Sequence, residues 1–133
     1  MNILDENIIA SQRAQLRKWR IRFNQIGTEI GRRGMKDLTE IVPLLHSLRR
    51  STFFTHDLGF FNPLLCHKGY SLVCLDIKAN EGAIYIRRFL RHRGFRAETQ
   101  RLGKVILARQ RNLSFWAIGN QELQRLGWPK PYR

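Results

Sequence analysis

Three short apolar runs, each ended by an aspartate, constrain this chain more than any other feature: Ile3-Leu4-Asp5, Phe53-Phe54-Thr55-His56-Asp57 and Leu72-Val73-Cys74-Leu75-Asp76. Runs of this length suit strands, and the segments between them carry apolar residues at helical spacing. A brief strand at residues 2–4 leads to an amphipathic helix carrying Ile9, Leu16 and Trp19. Residues 20–26 alternate and read as a second strand ended by Gly27, with a loop at Gly31-Arg32-Arg33-Gly34. A helix is expected from Thr39 or Glu40 to Arg50, with Ile41, Leu44, Leu45 and Leu48 on one face and Pro43 in its first turn. Asn80 is placed to cap a helix from Glu81 to about Arg93, with Gly94 at its end. Residues 104–109 and 113–118 read as an antiparallel hairpin, followed by a helical turn at 121–126.

Strands alternating with helices imply an α/β fold with a mostly parallel sheet and helices on both faces. The 133 residues suffice for one domain. In such folds ligands bind outside the carboxyl ends of the strands, where strand order reverses. A parallel sheet brings Asp5, Asp57 and Asp76 to that edge, where like charges repel unless a cation holds them. Oxygen ligands alone suit Mg²⁺ or Mn²⁺, which neutralise phosphate charge and acidify a bound water. The chemistry this implies is metal-assisted phosphodiester hydrolysis. An aspartate after a strand also caps the next helix or opens a turn, and that reading competes at each position.

Net charge sharpens the choice of partner. The chain carries +14; residues 1–81 hold 12 basic and 8 acidic residues, residues 82–133 hold 12 and 2. Such a surface gathers polyanions: nucleic acid first, with anionic lipid headgroups or an acidic protein as rivals. The densest stretch, residues 87–96, interleaves Arg87, Arg88, Arg91, Arg93 and Arg96 with Phe89 and Phe95, a mixture suited to phosphates and stacked bases. No apolar run approaches the length of a membrane span, and Asp5 and Glu6 stand where a signal peptide is basic, so a cytoplasmic protein is expected. Cys66 and Cys74 sit in apolar stretches and read as small buried hydrophobes of a reducing compartment. Phosphate-binding loops, dinucleotide fingerprints and serine-nucleophile elbows are absent from the sequence.

Leu4-Asp5-Glu6-Asn7, followed some fifty residues later by Phe54-Thr55-His56-Asp57-Leu58-Gly59-Phe60, resembles the compact PIN-like nucleases. The similarity spans roughly residues 2–93 and implies a three-layer α/β/α domain with four to five mostly parallel strands. Residues 94–133 then form a basic C-terminal extension containing the hairpin. The resemblance makes Asp5 and Asp57 metal ligands, with Thr55 supporting them. A further acid comes from the helix before the second motif, either Asp37 or Glu40, and Asp76 is the fourth. It also implies cleavage of single-stranded RNA, action as a toxin restrained by an antitoxin, and, by analogy with such folds, a homodimer. This chain has His56 where many relatives carry arginine or lysine, and Gly59 where a second acid is common. A non-catalytic nucleic-acid-binding protein on the same scaffold is therefore the alternative. Asp37-Leu38-Thr39-Glu40 also has the spacing of a capping box.

Overall fold

A computed structural model describes residues 1–129; the last four residues of the expected C-terminal extension, 130–133, lie outside it. Five strands are parallel: β1 (Asn2–Leu4), β2 (Asn24–Gln25), β3 (Ser51–Thr55), β4 (Tyr70–Asp76) and β5 (Lys104–Arg109). Two more, β6 (Asn112–Ala117) and β7 (Gln124–Gly127), add antiparallel to β5 and to each other, giving the order β2-β1-β3-β4-β5-β6-β7. The helices are α1 (Ala10–Lys18), α2 (Val42–Ser47), α3 (Gly82–Arg91) and α4 (Glu98–Arg101). None of the described helices is long and apolar enough to cross a membrane.

Strand periodicity sorts the core into two layers. Leu4, Phe54, Val73 and Ile106 face one side, where Leu16 of α1 and Ile86 and Phe89 of α3 cover them. Their neighbours Ile3, Phe53, Leu72, Cys74 and Val105 face the other side, against Ile41 and against Leu45 of α2. β4 is buried from Tyr70 to Leu75, which explains why residues 72–75 read as an unbroken apolar run rather than an alternating one. Both described cysteines are free, and burial pushes the Cys74 thiol up to about 12.

Several local expectations are corrected. The strand expected over 20–26 shrinks to Asn24–Gln25, because the chain leaves α1 through Arg20 at φ 61 while the Ile21 amide bonds back to Leu16. The helix expected from Thr39 or Glu40 begins as a π-helical turn at Asp37–Ile41, continues as α2 and stops at Ser47, short of the left-handed Arg50 at φ 60. Asn80 lies in a 3-10 turn, Ala79–Glu81, and caps nothing; the Ala83 amide at the start of α3 donates to Gln12 Oε1 instead. α3 ends at Arg91 because His92 turns extended, so Gly94 is not its terminator. The helical turn expected at 121–126 is β7: the free edge of β6 recruits Gln124–Gly127, a pairing no local pattern reveals.

After β1 the chain lays β2 on one side and β3 on the other. Strand order therefore reverses at β1 and β3, which opens a crevice outside their carboxyl ends. Asp5 and Asp57 follow those two strands.

Candidate active site

Asp5 follows the last register pair, Leu4 with Phe54, and its amide donates to the Phe54 carbonyl at 2.9 Å. The Asp5 and Thr55 side chains point to the α2 side of the sheet, by alternation from Ile3 and Phe53. Asp5 is only 7% exposed. Its Oδ1 accepts from the Glu6 amide at 2.8 Å, and its Oδ2 from the Thr55 hydroxyl at 2.6 Å and from Asn7 Nδ2 at 3.3 Å. Burial raises its carboxyl above the ordinary aspartate range, the Thr55 and Glu6 donors pull it back, and the Asp57 and Glu6 charges push it up again.

Thr55 is the hub of this corner. Besides donating to Asp5, its Oγ1 accepts from the Asp57 amide at 2.9 Å and lies 3.2 Å from Asn7 Nδ2. Asn7 Oδ1 in turn accepts from the His56 amide at 3.1 Å. Thr55→Val keeps the shape but strips a buried carboxylate of its donor, and should cost about 1–3 kcal/mol. Urea unfolding checks this; a loss below about 0.5 kcal/mol, the scale of an ordinary surface change, would show that the hydroxyl holds nothing.

Asp57 and Asp37 meet across the crevice. Asp57 Oδ1 accepts from the Gly59 amide at 2.8 Å, capping the 3-10 turn Leu58–Phe60. Its carboxylate also accepts a hydrogen bond from Asp37, which pushes Asp37 up to about 6; burial and the charges of Asp57 and Asp5 add to the rise. That bond, with the Gly59 amide, holds Asp57 below the usual carboxylate range. Of the two acids considered for the third place, it is Asp37 that joins Asp57. Glu40 forms an ion pair with Arg32 and accepts from the Lys36 amide, one residue before the Asp37 amide that the expected capping box would use. The box does not form: Lys36 is the cap position, and the Asp37 side chain is engaged with Asp57 rather than with the turn.

Asp76 takes another partner. It ends β4 on the same edge, but its register partner is Arg109 of β5, and the two form an ion pair at 3.4 Å. β4 lies two strands from β1, roughly 10 Å at the usual strand spacing, so strand-end placement alone does not unite Asp76 with Asp5. His56 points to the opposite face: its Nδ1 lies 3.2 Å from the Leu75 carbonyl, and its buried Nε2 has no partner in the structure. The contributions of Asn7 and Gln12 escaped the sequence reading, since both act on groups far away in the chain.

The arginines expected to bind phosphate divide between two flanks of α3. The Arg87 guanidinium lies 3.7 Å over the Trp19 ring, beside α1. Arg88 lies between Tyr85 at 5.0 Å and Trp128 at 4.5 Å. Arg91, Arg93 and Arg96 are exposed and form no ion pair among the described residues. Further along the same basic run, Arg101 is buried and bonded to Thr52 Oγ1 and the carbonyls of Phe95 and Arg96, which makes it a structural strut.

Comparison with protein-family models, with curated proteins and with solved structures finds no match to this chain. The site therefore speaks through its chemistry. With 24 Lys and Arg in the chain, the described ion pairs engage Glu40, Asp76 and Glu98, and none engages Asp5, Asp37 or Asp57. No three described His, Cys, Asp or Glu side chains are already grouped around a point where an ion could sit. The oxygen donors fit a hard divalent cation all the same. Mg²⁺ is commonly held by one or two carboxylates with water completing its shell, and Asp37 and Asp57 present two carboxyl groups in contact.

Proposed function

We propose that this chain is a metal-dependent nuclease of PIN-like type that hydrolyses phosphodiester bonds in single-stranded RNA. The observation that carries the reading is the trio of acids at the β1/β3 crevice, without a cationic partner among the described residues, in a chain of net charge +14. Above pH 6 Asp37 and Asp57 are both ionised and in contact, an arrangement that a divalent cation stabilises. Asp37 and Asp57 would hold Mg²⁺ or Mn²⁺, with Asp5 as the inner acid. A bound cation supplies an acidified water and neutralises charge on the phosphate. Thr55 keeps Asp5 and the Asp57 backbone in place, and the Gly59 amide fixes the Asp57 carboxylate. The exposed Arg91, Arg93 and Arg96 would hold the RNA backbone.

A cytoplasmic location, an antitoxin partner and a homodimer belong to the same reading. The alternative, a binding protein that no longer cuts, is favoured by one observation: two acids touch, but no three-ligand group is preformed. Calorimetry with Mn²⁺ and a cleavage assay on labelled single-stranded RNA separate the two. Asp57→Asn should lower both Mn²⁺ affinity and cleavage rate by at least about 100-fold, since a ligand and a charge vanish together. If the wild-type chain retains RNA without binding Mn²⁺ or cutting, the binding-protein reading stands and the nuclease reading falls.

A further inference from the structure

At the other end of β1 from the acids lies a groove of about 770 Å³, lined by Met1, Asn2, Arg17, Arg20, Ile21, Arg22, Phe23 and Asn24. Arg17, Arg20 and Arg22 are exposed, no carboxylate lines the groove, and none of the three forms an ion pair among the described residues. Their placement is built into the fold. Arg17 is in the last turn of α1, Arg20 takes the left-handed conformation at φ 61, and the Arg22 carbonyl accepts from Asn2 Nδ2 at 3.0 Å. Three arginines thus line one concavity, at the cost of a backbone conformation that arginine rarely adopts at Arg20.

We infer that this groove binds the phosphodiester backbone of single-stranded nucleic acid, as a second contact site separate from the acidic crevice. Two features favour nucleic acid over a lipid surface. The site is concave, and an aromatic ring lies among its arginines: Phe23 lines the groove with the Arg17 guanidinium 5.1 Å from its ring centre. The groove runs from the last turn of α1 to the start of β1. The groove lies at the amino end of β1 and the acids follow its carboxyl end, so the two are separate contacts for a nucleic-acid chain. The inference rests on the nucleic-acid part of the reading above and not on its cleavage chemistry.

The test is fluorescence anisotropy of a labelled 12-nucleotide RNA across a salt series, with wild type and the triple variant Arg17→Gln, Arg20→Gln, Arg22→Gln. Loss of three phosphate contacts should weaken binding about tenfold or more and flatten the log-log salt slope by about 2. Each single variant should flatten it by about 0.7, which keeps the inference testable if the triple variant folds poorly. The anisotropy is read without divalent cation, so a failure of cleavage leaves this result untouched. Wild-type affinity and slope in all four arginine variants would overturn the inference. So would variants that lose vesicles containing anionic phospholipid while holding RNA normally, which would mark a lipid site.

Discussion

Lowering the pH from 7.5 to 5 should weaken Mn²⁺ binding, with the loss setting in near pH 6 and reaching about tenfold per unit below it. The cause is Asp37, whose carboxyl is pushed up to about 6 by its bond to Asp57 and must lose that proton before it can hold a cation. Asp57, held below the ordinary range by the same bond and by the Gly59 amide, stays ionised throughout this span. Asp37→Asn should therefore lower Mn²⁺ affinity at pH 7.5 and flatten its dependence between pH 5 and 7. Calorimetry at four pH values reads both effects, and an affinity that ignores pH across this range would refute the shared proton.

The same proton links to stability with the opposite sign. In the metal-free protein Asp37 binds its proton more tightly folded than unfolded, so its contribution is complete below the ordinary value of 3.8 and fades as pH rises through about 6. Asp5, raised by burial, acts in the same direction. Asp57 acts in reverse: its contribution is present above 3.8 and is lost as pH falls through its lower folded value. Asp37→Asn should thus melt higher than wild type at pH 8 without metal, because the amide can still donate to Asp57 and the facing charge is gone. Added Mn²⁺ should reverse that ranking, since it stabilises most the chain that binds it more tightly.

Phe54→Ala should be the most damaging single change to the fold, costing about 3–5 kcal/mol in urea unfolding. Phe54 is 0% exposed in the middle of β3, packed edge-to-face on Phe89 of α3 with ring centres 5.8 Å apart. Removing it opens a cavity between the sheet and its main helix, and a small domain has only about 5–15 kcal/mol to lose. The site should suffer with it, because the Phe54 carbonyl receives the Asp5 amide and Thr55 is the next residue. A cost below about 1 kcal/mol with an unchanged denaturant slope would show that this contact is not central to the core.

Much of this architecture was legible in the chain. Apolar runs at 3–4, 53–54 and 72–75 become β1, β3 and β4, and the pattern of local hydrophobic spacing suffices for that because strand and helix periods are short-range properties. The placement of Asp5 and Asp57 at one edge follows, since parallel strands share a carboxyl end. Lateral order is another matter. Whether Asp76 meets Asp5 or Arg109 depends on which strands lie between them, and β5, some thirty residues later, supplies the stronger partner.

The amino-acid sequence by itself determined the α/β alternation, the two-sided core and the acids that terminate β1 and β3. Only the tertiary structure decided that Asp37 rather than Glu40 meets Asp57, that Asp76 belongs to Arg109, that Arg87 and Arg88 lie on aromatic rings, and that residues 124–127 close the sheet. The physical reason is common to all four. Apart from the Tyr85–Arg88 contact within α3, each is a competition among groups separated in the chain, and the winner is set by distances that exist only once the sheet has assembled.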